Sequence, residues 1–353
     1  MKQQRIILLT TLLAFCISAF TQQEARHARA EPFSGTWGVR ILHPTAYDKS
    51  KTPSAKVNAE NFDIPTFMAQ IDQLTTINHV MINISRGHQS SWYSSPYPEM
   101  EAIMGSDLFP ERDFFGELLD SLKTRGLKVL VYFSGTGMDK GYLTADQMNT
   151  WNDYLASAGL SHKEGVSKIL EYYSTKFGDK IDGWWIDRVN SSYTDEDRLR
   201  IATALRAGNP NAMVTMHKKV GSPVIQSDRY CDYTSGHPWT MNEQVPWDDG
   251  VGHENIDLIK NIEAGPWLGL DGLPDDSEGT ALGAIFMPIQ GHWRRGEAGF
   301  PSDQAIDWTS RVMKVGGMYT WAVARVDNGF ALPQFNQLLE INEAIKNGQN
   351  PDD

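Results

Sequence analysis

Short β-rich runs alternate with amphipathic helical stretches along almost the whole chain, and this alternation constrains the fold more than any other feature. Residues 38–43 (G-V-R-I-L-H) read as a strand, and 64–75 as a helix with apolar residues at helical spacing. Strands follow at 79–85, 127–133, 182–187, 212–216, 230–234, 284–288 and 318–324. Helices fall at 112–125, 165–177, 195–207 and about 302–314, starting after polar caps and stopping near Gly126, Gly208 and Pro210. Strands joined through helices of this length form βα units around a parallel sheet. Eight units over roughly 310 residues make a (β/α)8 TIM barrel, a single domain over residues 31–353. A doubly wound open sheet is the alternative, but no G-x-G-x-x-G follows the first strand to favour it. Residues 235–283 carry Gly, Pro and Trp with little periodicity and read as an extended loop region at the active face.

The first thirty residues read as an address. Lys2 and Arg5 precede an apolar run from Ile6 to Phe20, and Ala28 and Ala30 supply a small-residue cleavage pattern, so residues 1–30 are expected to be a signal peptide. The expected location is secreted or periplasmic. The run is short for a membrane span, and no later segment reaches that length in apolar residues, so no membrane partner is expected. Phe15 before Cys16 argues against lipidation. Cleavage after Ala30 removes four cations and one anion, which takes the net charge from −12 to −15 and leaves Cys231 as a lone thiol. So acidic a chain is a poor fit to nucleic acid, which needs a basic footprint. With 41% hydrophobic residues it is neither disordered nor fibrous. The 11 Trp and 12 Tyr supply the faces that stack on sugar rings, besides serving as ordinary core.

In a barrel of this type catalytic groups sit where strands end. The strand ends carry His43, the Arg86-Gly87-His88 turn, Tyr132 with Ser134, Asp187, His217, Asp232 with His237, and His292 with Trp293. Asp187 stands out, because it closes a strand containing Trp184, Trp185 and Ile186 and precedes Arg188. It reads as a catalytic carboxylate in an aromatic-walled pocket, or as a cap or Asp–Arg pair. Asp182 begins the same strand and reads as structural. Five histidines at or just after strand ends suit a polar ring for sugar hydroxyls. A metal site would want an H-x-H or H-E-x-x-H pair, and neither occurs, so no metal and no cofactor is expected. The acidic loop 271–278 lacks EF-hand spacing and reads as solvated. Arg294-Arg295 and Lys218-Lys219 read as solvated surface or as a local pocket for sulfate esters.

Three segments carry a family resemblance. Residues 112–134 (R-D-F-F-G-E-L-L-D-S-L-K-T-R-G-L-K-V-L-V-Y-F-S), 169–187 (I-L-E-Y-Y-S-T-K-F-G-D-K-I-D-G-W-W-I-D) and 312–323 (V-M-K-V-G-G-M-Y-T-W-A-V) resemble, in order, segments of the α-L-fucosidases of glycoside hydrolase family 29 and the related endo-fucanases of family 168. The resemblance runs through about residues 35–345 and implies that Asp187 is the nucleophile of a retaining glycosidase. His43 matches the family's histidine after the first strand, one residue further along. Of the fucosidase His-His-Asp-Gly-Phe stretch only His88 carries over, with Trp92 near the aromatic position. The β-sandwich that follows the fucosidase barrel has no counterpart in the sequence, and the altered loop suits a grip on the interior of a polymer. The acid/base is expected at Glu243, flanked by Trp239 and Trp247, because an apolar setting raises a carboxyl pKa; Glu254 and Asp249 are its rivals. Expected substrate contacts are His43, His88, Trp92, Tyr132, Trp185, His217, His237, Trp239, His292, Trp293 and Arg294. The expected activity is cleavage of α-L-fucosyl linkages inside a sulfated fucan, a polysaccharide or oligosaccharide substrate. An exo-α-L-fucosidase and a sugar-binding barrel without turnover are the alternatives.

Overall fold

The computed structural model of the chain describes residues 28–41, 59–86, 92–134, 138, 143–217, 228–236, 252–264, 281–293 and 295–348. The first half runs β1 (Thr36–Ile41), α1 (Ile64–Ile71), β2 (His79–Asn83), the hairpin β3 (Ser85–Arg86) and β4 (Trp92–Tyr93), α2 (Pro98–Met104), α3 (Phe114–Thr124) and β5 (Lys128–Ser134). Then come α4 (Ala145–Ala158), α5 (His162–Phe177), β6 (Gly183–Asp187), α6 (Asp195–Leu205), β7 (Met213–Met216) and α7 (Gly252–Ala264). The last part holds β8 (Ala284–Pro288), the hairpin β9 (Gln290–His292) and β10 (Arg295–Ala298), α8 (Ser302–Lys314), β11 (Met318–Val323), the hairpin β12 (Arg325–Val326) and β13 (Gly329–Phe330), and α9 (Leu332–Lys346).

Seven strands form one parallel sheet in the order β7-β6-β5-β2-β1-β11-β8. Residues 232–236 fill the eighth place, between β7 and β8. Asp232 N–H donates to Val214 O at 2.7 Å, Leu282 N–H to Asp232 O at 2.9 Å, Thr234 N–H to Leu282 O at 2.9 Å, and Phe286 N–H to Gly236 O at 3.1 Å. The strand expected at 230–234 is thus an irregular rung, with its one parallel bridge at Tyr233. Gly236 lets it approach, since its φ is +46° and a Cβ there would lie 1.8 Å from Ala284 O. The barrel of the sequence reading is therefore present. Residues 235–283 are not all loop, because α7 lies among them. α4 and α9 are helices that the periodicity reading passed over. α4, α5 and α6 each begin on a reciprocal capping box, Thr144 with Gln147, Ser161 with Glu164 and Thr194 with Asp197.

Side chains that alternate along the strands divide into two apolar layers. One lies between sheet and helices, where buried Trp37 and Trp321 each donate an indole N–H to a threonine hydroxyl, Thr76 and Thr309, at 3.0 Å. The other fills the barrel with Met81, Leu130, Trp185, Met213, Tyr233, Phe286 and Met318, plugged at its N-terminal end by Ala30 and Phe33. Asp182 sits at that same end and accepts from Val129 N–H at 2.7 Å and Lys123 Nζ at 2.8 Å, a structural role as read from the sequence.

His79 opens β2 inside the barrel, with Nε2 2.7 Å from the Thr320 hydroxyl and the edge of Phe33 on its ring. Burial holds its pKa down at about 3, so it is neutral where the protein works. The unfolded chain binds this proton near pH 6.5 and the folded chain does not. Its contribution to stability is full above pH 6.5 and is lost as pH falls toward 3, at up to about 1.4 kcal/mol per pH unit. Thermal midpoints measured from pH 7 to pH 4 should fall, and should fall less steeply in His79→Gln. Parallel profiles for the two proteins would contradict the burial of a neutral imidazole.

Candidate active site

The strand period brings four side chains together at the C-terminal end of the barrel. Trp185 and Asp187, two apart in β6, share the inner face, and the parallel register sets Trp185 beside Tyr132 of β5. His217 follows β7, its N–H donating to Ile186 O at 2.7 Å, which fixes it next to the end of β6. The Tyr132 hydroxyl donates to Asp187 Oδ2 at 2.6 Å. His217 Nδ1 lies 3.0 Å from Asp187 Oδ1, and since a carboxylate only accepts, that nitrogen carries the proton. Both carboxylate oxygens are thus held from opposite sides.

Beneath the carboxylate the rings form a stack. Tyr132 lies parallel to Trp185 at 5.1 Å, and Trp185 to His217 at 5.0 Å. The Arg40 guanidinium continues it, 4.8 Å from the centre of the Tyr132 ring and 5.5 Å from that of Phe286. Arg40 projects from mid-β1, is buried, and donates Nε–H to Asn83 Oδ1 at 3.1 Å. This side chain was missed in the sequence, though a charged residue within the apolar run G-V-R-I-L was a legible signal.

Burial, with the Asp187 charge behind it, pushes the Tyr132 phenol well above its ordinary range, against the smaller opposing pull of Arg40. Tyr132 is therefore a proton donor throughout the neutral range. The Asp187 side chain keeps 19% of its surface exposed, enough for a ligand to meet it. Arg188 follows with φ at +65°, one of two non-glycine residues with positive φ among the described residues. The left-handed region costs such a residue about 1–2 kcal/mol. Such strain collects at functional sites. A carboxylate fixed at both oxygens, seated on rings and open on one side, suits attack on an electrophilic carbon. Tyr132→Phe leaves the stack but removes one of the two donors. If Asp187 is a catalytic carboxylate, turnover is expected to fall about 10- to 100-fold with little change in KM, as measured by initial rates.

Of the expected site residues, Asp187, Tyr132, Trp185 and His217 come together. Two of them have other tasks than sugar contact. Trp185 is fully buried between Tyr132 and His217, so it supports the floor and offers no face to a sugar. His217 is almost as buried and turns its Nδ1 to Asp187. Trp293 is half-buried against Phe286, which in turn packs edge-on to Trp185. The side chains of Trp92 and His292, and the residues His43, His88, His237, Trp239, Glu243, Asp249 and Arg294, lie outside the described residues, as does the side chain of Glu254. Among the described residues no group of His, Cys, Asp and Glu is placed to hold a metal ion.

No curated protein matches the chain. Solved structures share its fold. It is similar to the endo-fucoidan hydrolase MfFcnA4 of glycoside hydrolase family 107, with 20% identity and a TM-score of 0.75 over 91% of this chain and 54% of that one. It is similar also to the family 107 endo-fucoidan hydrolase P5AFcnA, with 17% identity and a TM-score of 0.74 over 90% of this chain and 93% of that one. The α-L-fucosidase AlfC from Lactobacillus casei aligns at 12% identity and a TM-score of 0.57, over 91% of this chain and 99% of that one. The chain spans about half the length of MfFcnA4. Residues 27–224, more than half of the sequence and the part that supplies Arg40, Tyr132, Asp187 and His217, match the family model of the endo-alpha(1,4)-fucoidanase Mef1, and the chain belongs to that family.

Proposed function

We propose that the protein is a secreted, retaining endo-fucanase that cleaves α-L-fucosyl linkages inside sulfated fucan. The observation that carries this is the Asp187 carboxylate, held through Tyr132 and His217 at the C-terminal end of a barrel strand. The Mef1 family name supports fucoidan as the polymer and α(1,4) as the first linkage to test. The kinship to family 168 rests on the sequence resemblance alone, and secretion rests on the leader-like residues 1–30.

Asp187 attacks the anomeric carbon of a fucosyl unit, the bond to the leaving sugar oxygen breaks, and an acid protonates that oxygen. The same group, now a base, takes a proton from water. The water attacks the anomeric carbon and releases Asp187, so the configuration is retained. Glu243, in the stretch W-T-M-N-E-Q-V-P-W, is the proposed acid/base, supported by the tryptophans on either side.

Reducing ends and product size on fucan test the reading. A ladder of oligosaccharides with retained anomeric configuration supports it. Release of fucose alone points to exo action. Inverted product removes Asp187 as a covalent nucleophile, and saturable binding without turnover identifies a sugar-binding barrel.

A further inference from the structure

The backbone at the mouth of the site is strained at a residue that carries a cation. Arg188 holds φ at +65°, a conformation that glycine adopts without steric cost. Its carbonyl accepts from Asn190 N–H at 2.9 Å, and the next residue, Val189, donates its N–H to His217 O at 3.0 Å. The turn is therefore held from both sides and cannot relax alone. The left-handed turn leaves the guanidinium beside the carboxylate, with Nε 3.9 Å from Asp187 Oδ2. That is longer than a hydrogen bond, so the pair meets as neighbouring charges. The side chain keeps 41% of its surface exposed, against 19% for Asp187. The site's other described arginine, Arg40, is buried within the barrel against the Tyr132 ring.

Charge gives this position its meaning. The chain carries −12 overall, and a sulfated polymer carries a negative charge on many of its units. At physiological salt the repulsion is screened within about 8 Å, so what matters is the charge a sulfate group meets at close range. A planar guanidinium presents paired N–H donors that match the oxygens of a sulfate ester. Any unit whose anomeric carbon reaches Asp187 brings its ring substituents close to Arg188.

We propose that Arg188 is a specificity-determining residue of this site, taking a sulfate ester carried by a fucosyl unit next to the scissile bond. The inference rests on the reading of Asp187 as the nucleophile of a fucan-cleaving site. Arg188 selects sulfated over unsulfated stretches of polymer, and the local cation offsets the acidity of the protein where the substrate must enter.

The test compares wild type, Arg188→Lys and Arg188→Gly on native fucan and on the same fucan after chemical desulfation. Glycine relieves the left-handed strain, so unfolding cannot account for a loss. Its thermal midpoint should equal or exceed that of the wild type. The ratio of kcat/KM on the sulfated polymer to that on the desulfated one should fall about tenfold in Arg188→Gly, chiefly through KM, and by less in Arg188→Lys. Added salt should narrow the gap between wild type and Arg188→Gly. Equal losses on both polymers, or no loss on the sulfated one, overturn the proposal while leaving the fucan reading intact. A wild type that cuts neither polymer overturns the fucan reading, and the proposal with it. If the wild type cuts the sulfated polymer only, binding decides, with Asp187→Asn as the background. Adding Arg188→Gly must then weaken retention on immobilised sulfated fucan at low salt, and unchanged retention overturns the proposal.

Discussion

Asp187→Asn is expected to lower depolymerisation of fucan by more than about a thousandfold while the protein keeps its fold and its grip on the polymer. The amide is nearly isosteric with the carboxylate. Its oxygen can still accept from Tyr132, and the stack of Arg40, Tyr132, Trp185 and His217 beneath it is unchanged. What is lost is the charge that attacks the anomeric carbon. Reducing-end release measures the chemistry, affinity electrophoresis in fucan gels the binding, and a thermal melt the fold. More than a few per cent of wild-type turnover in a clean preparation would remove Asp187 from the nucleophile's role. An activated aryl fucoside, where accepted, should not rescue this variant. The same substrate with azide should rescue a Glu243→Ala variant and give a glycosyl azide of retained configuration, because only the acid/base step is missing there.

The second large effect is expected far from the chemistry. Asp232 is fully buried in the rung that closes the barrel. Arg29 reaches its Oδ1 with Nη2 at 2.7 Å and Nε at 3.0 Å, while Oδ2 accepts from Arg206 Nη2 at 2.6 Å and from Val214 N–H at 2.8 Å. Removing one partner of a buried ion pair leaves its donors unpaired, at a cost of about 3 kcal/mol or more. Asp232→Leu should therefore melt well below wild type, and should lose more than Arg29→Leu, which leaves the Arg206 and Val214 bonds in place. The contact also bears on the proposed removal of residues 1–30. A protein beginning at Glu31 lacks Arg29 and the buried Ala30, whereas one beginning at Arg26 keeps both. The shorter protein should unfold at lower denaturant in an equilibrium titration. Equal midpoints would mean that the N-terminal plug contributes nothing to stability.

Much of the barrel was legible because its signals are local. Strand residues 284–288 and helix residues 302–314 lie where alternation and the 3.6-residue period put them, and Gly126 follows the end of α3. α4 was passed over because its apolar face is narrow, with only Trp151 and Leu155 buried among polar neighbours. The strand read at 230–234 is instead the irregular rung at 232–236. It contains β-formers, but its partners Val214, Leu282 and Phe286 are distant in sequence and irregularly spaced.

The sequence by itself determined the (β/α)8 grammar, the acid balance, and Asp187 as the carboxylate at the end of an aromatic strand. Each follows from residue type and short-range period, which the chain carries wherever it folds. Only the tertiary structure decided what surrounds that carboxylate. Tyr132 and His217 reach its two oxygens from neighbouring strands 55 and 30 residues away in sequence. Trp185 became floor instead of sugar platform because it lies between two other rings, and Arg40 joined the site because mid-β1 faces the barrel's interior. Barrel closure and strand register place these side chains, and neither is a property of any local segment.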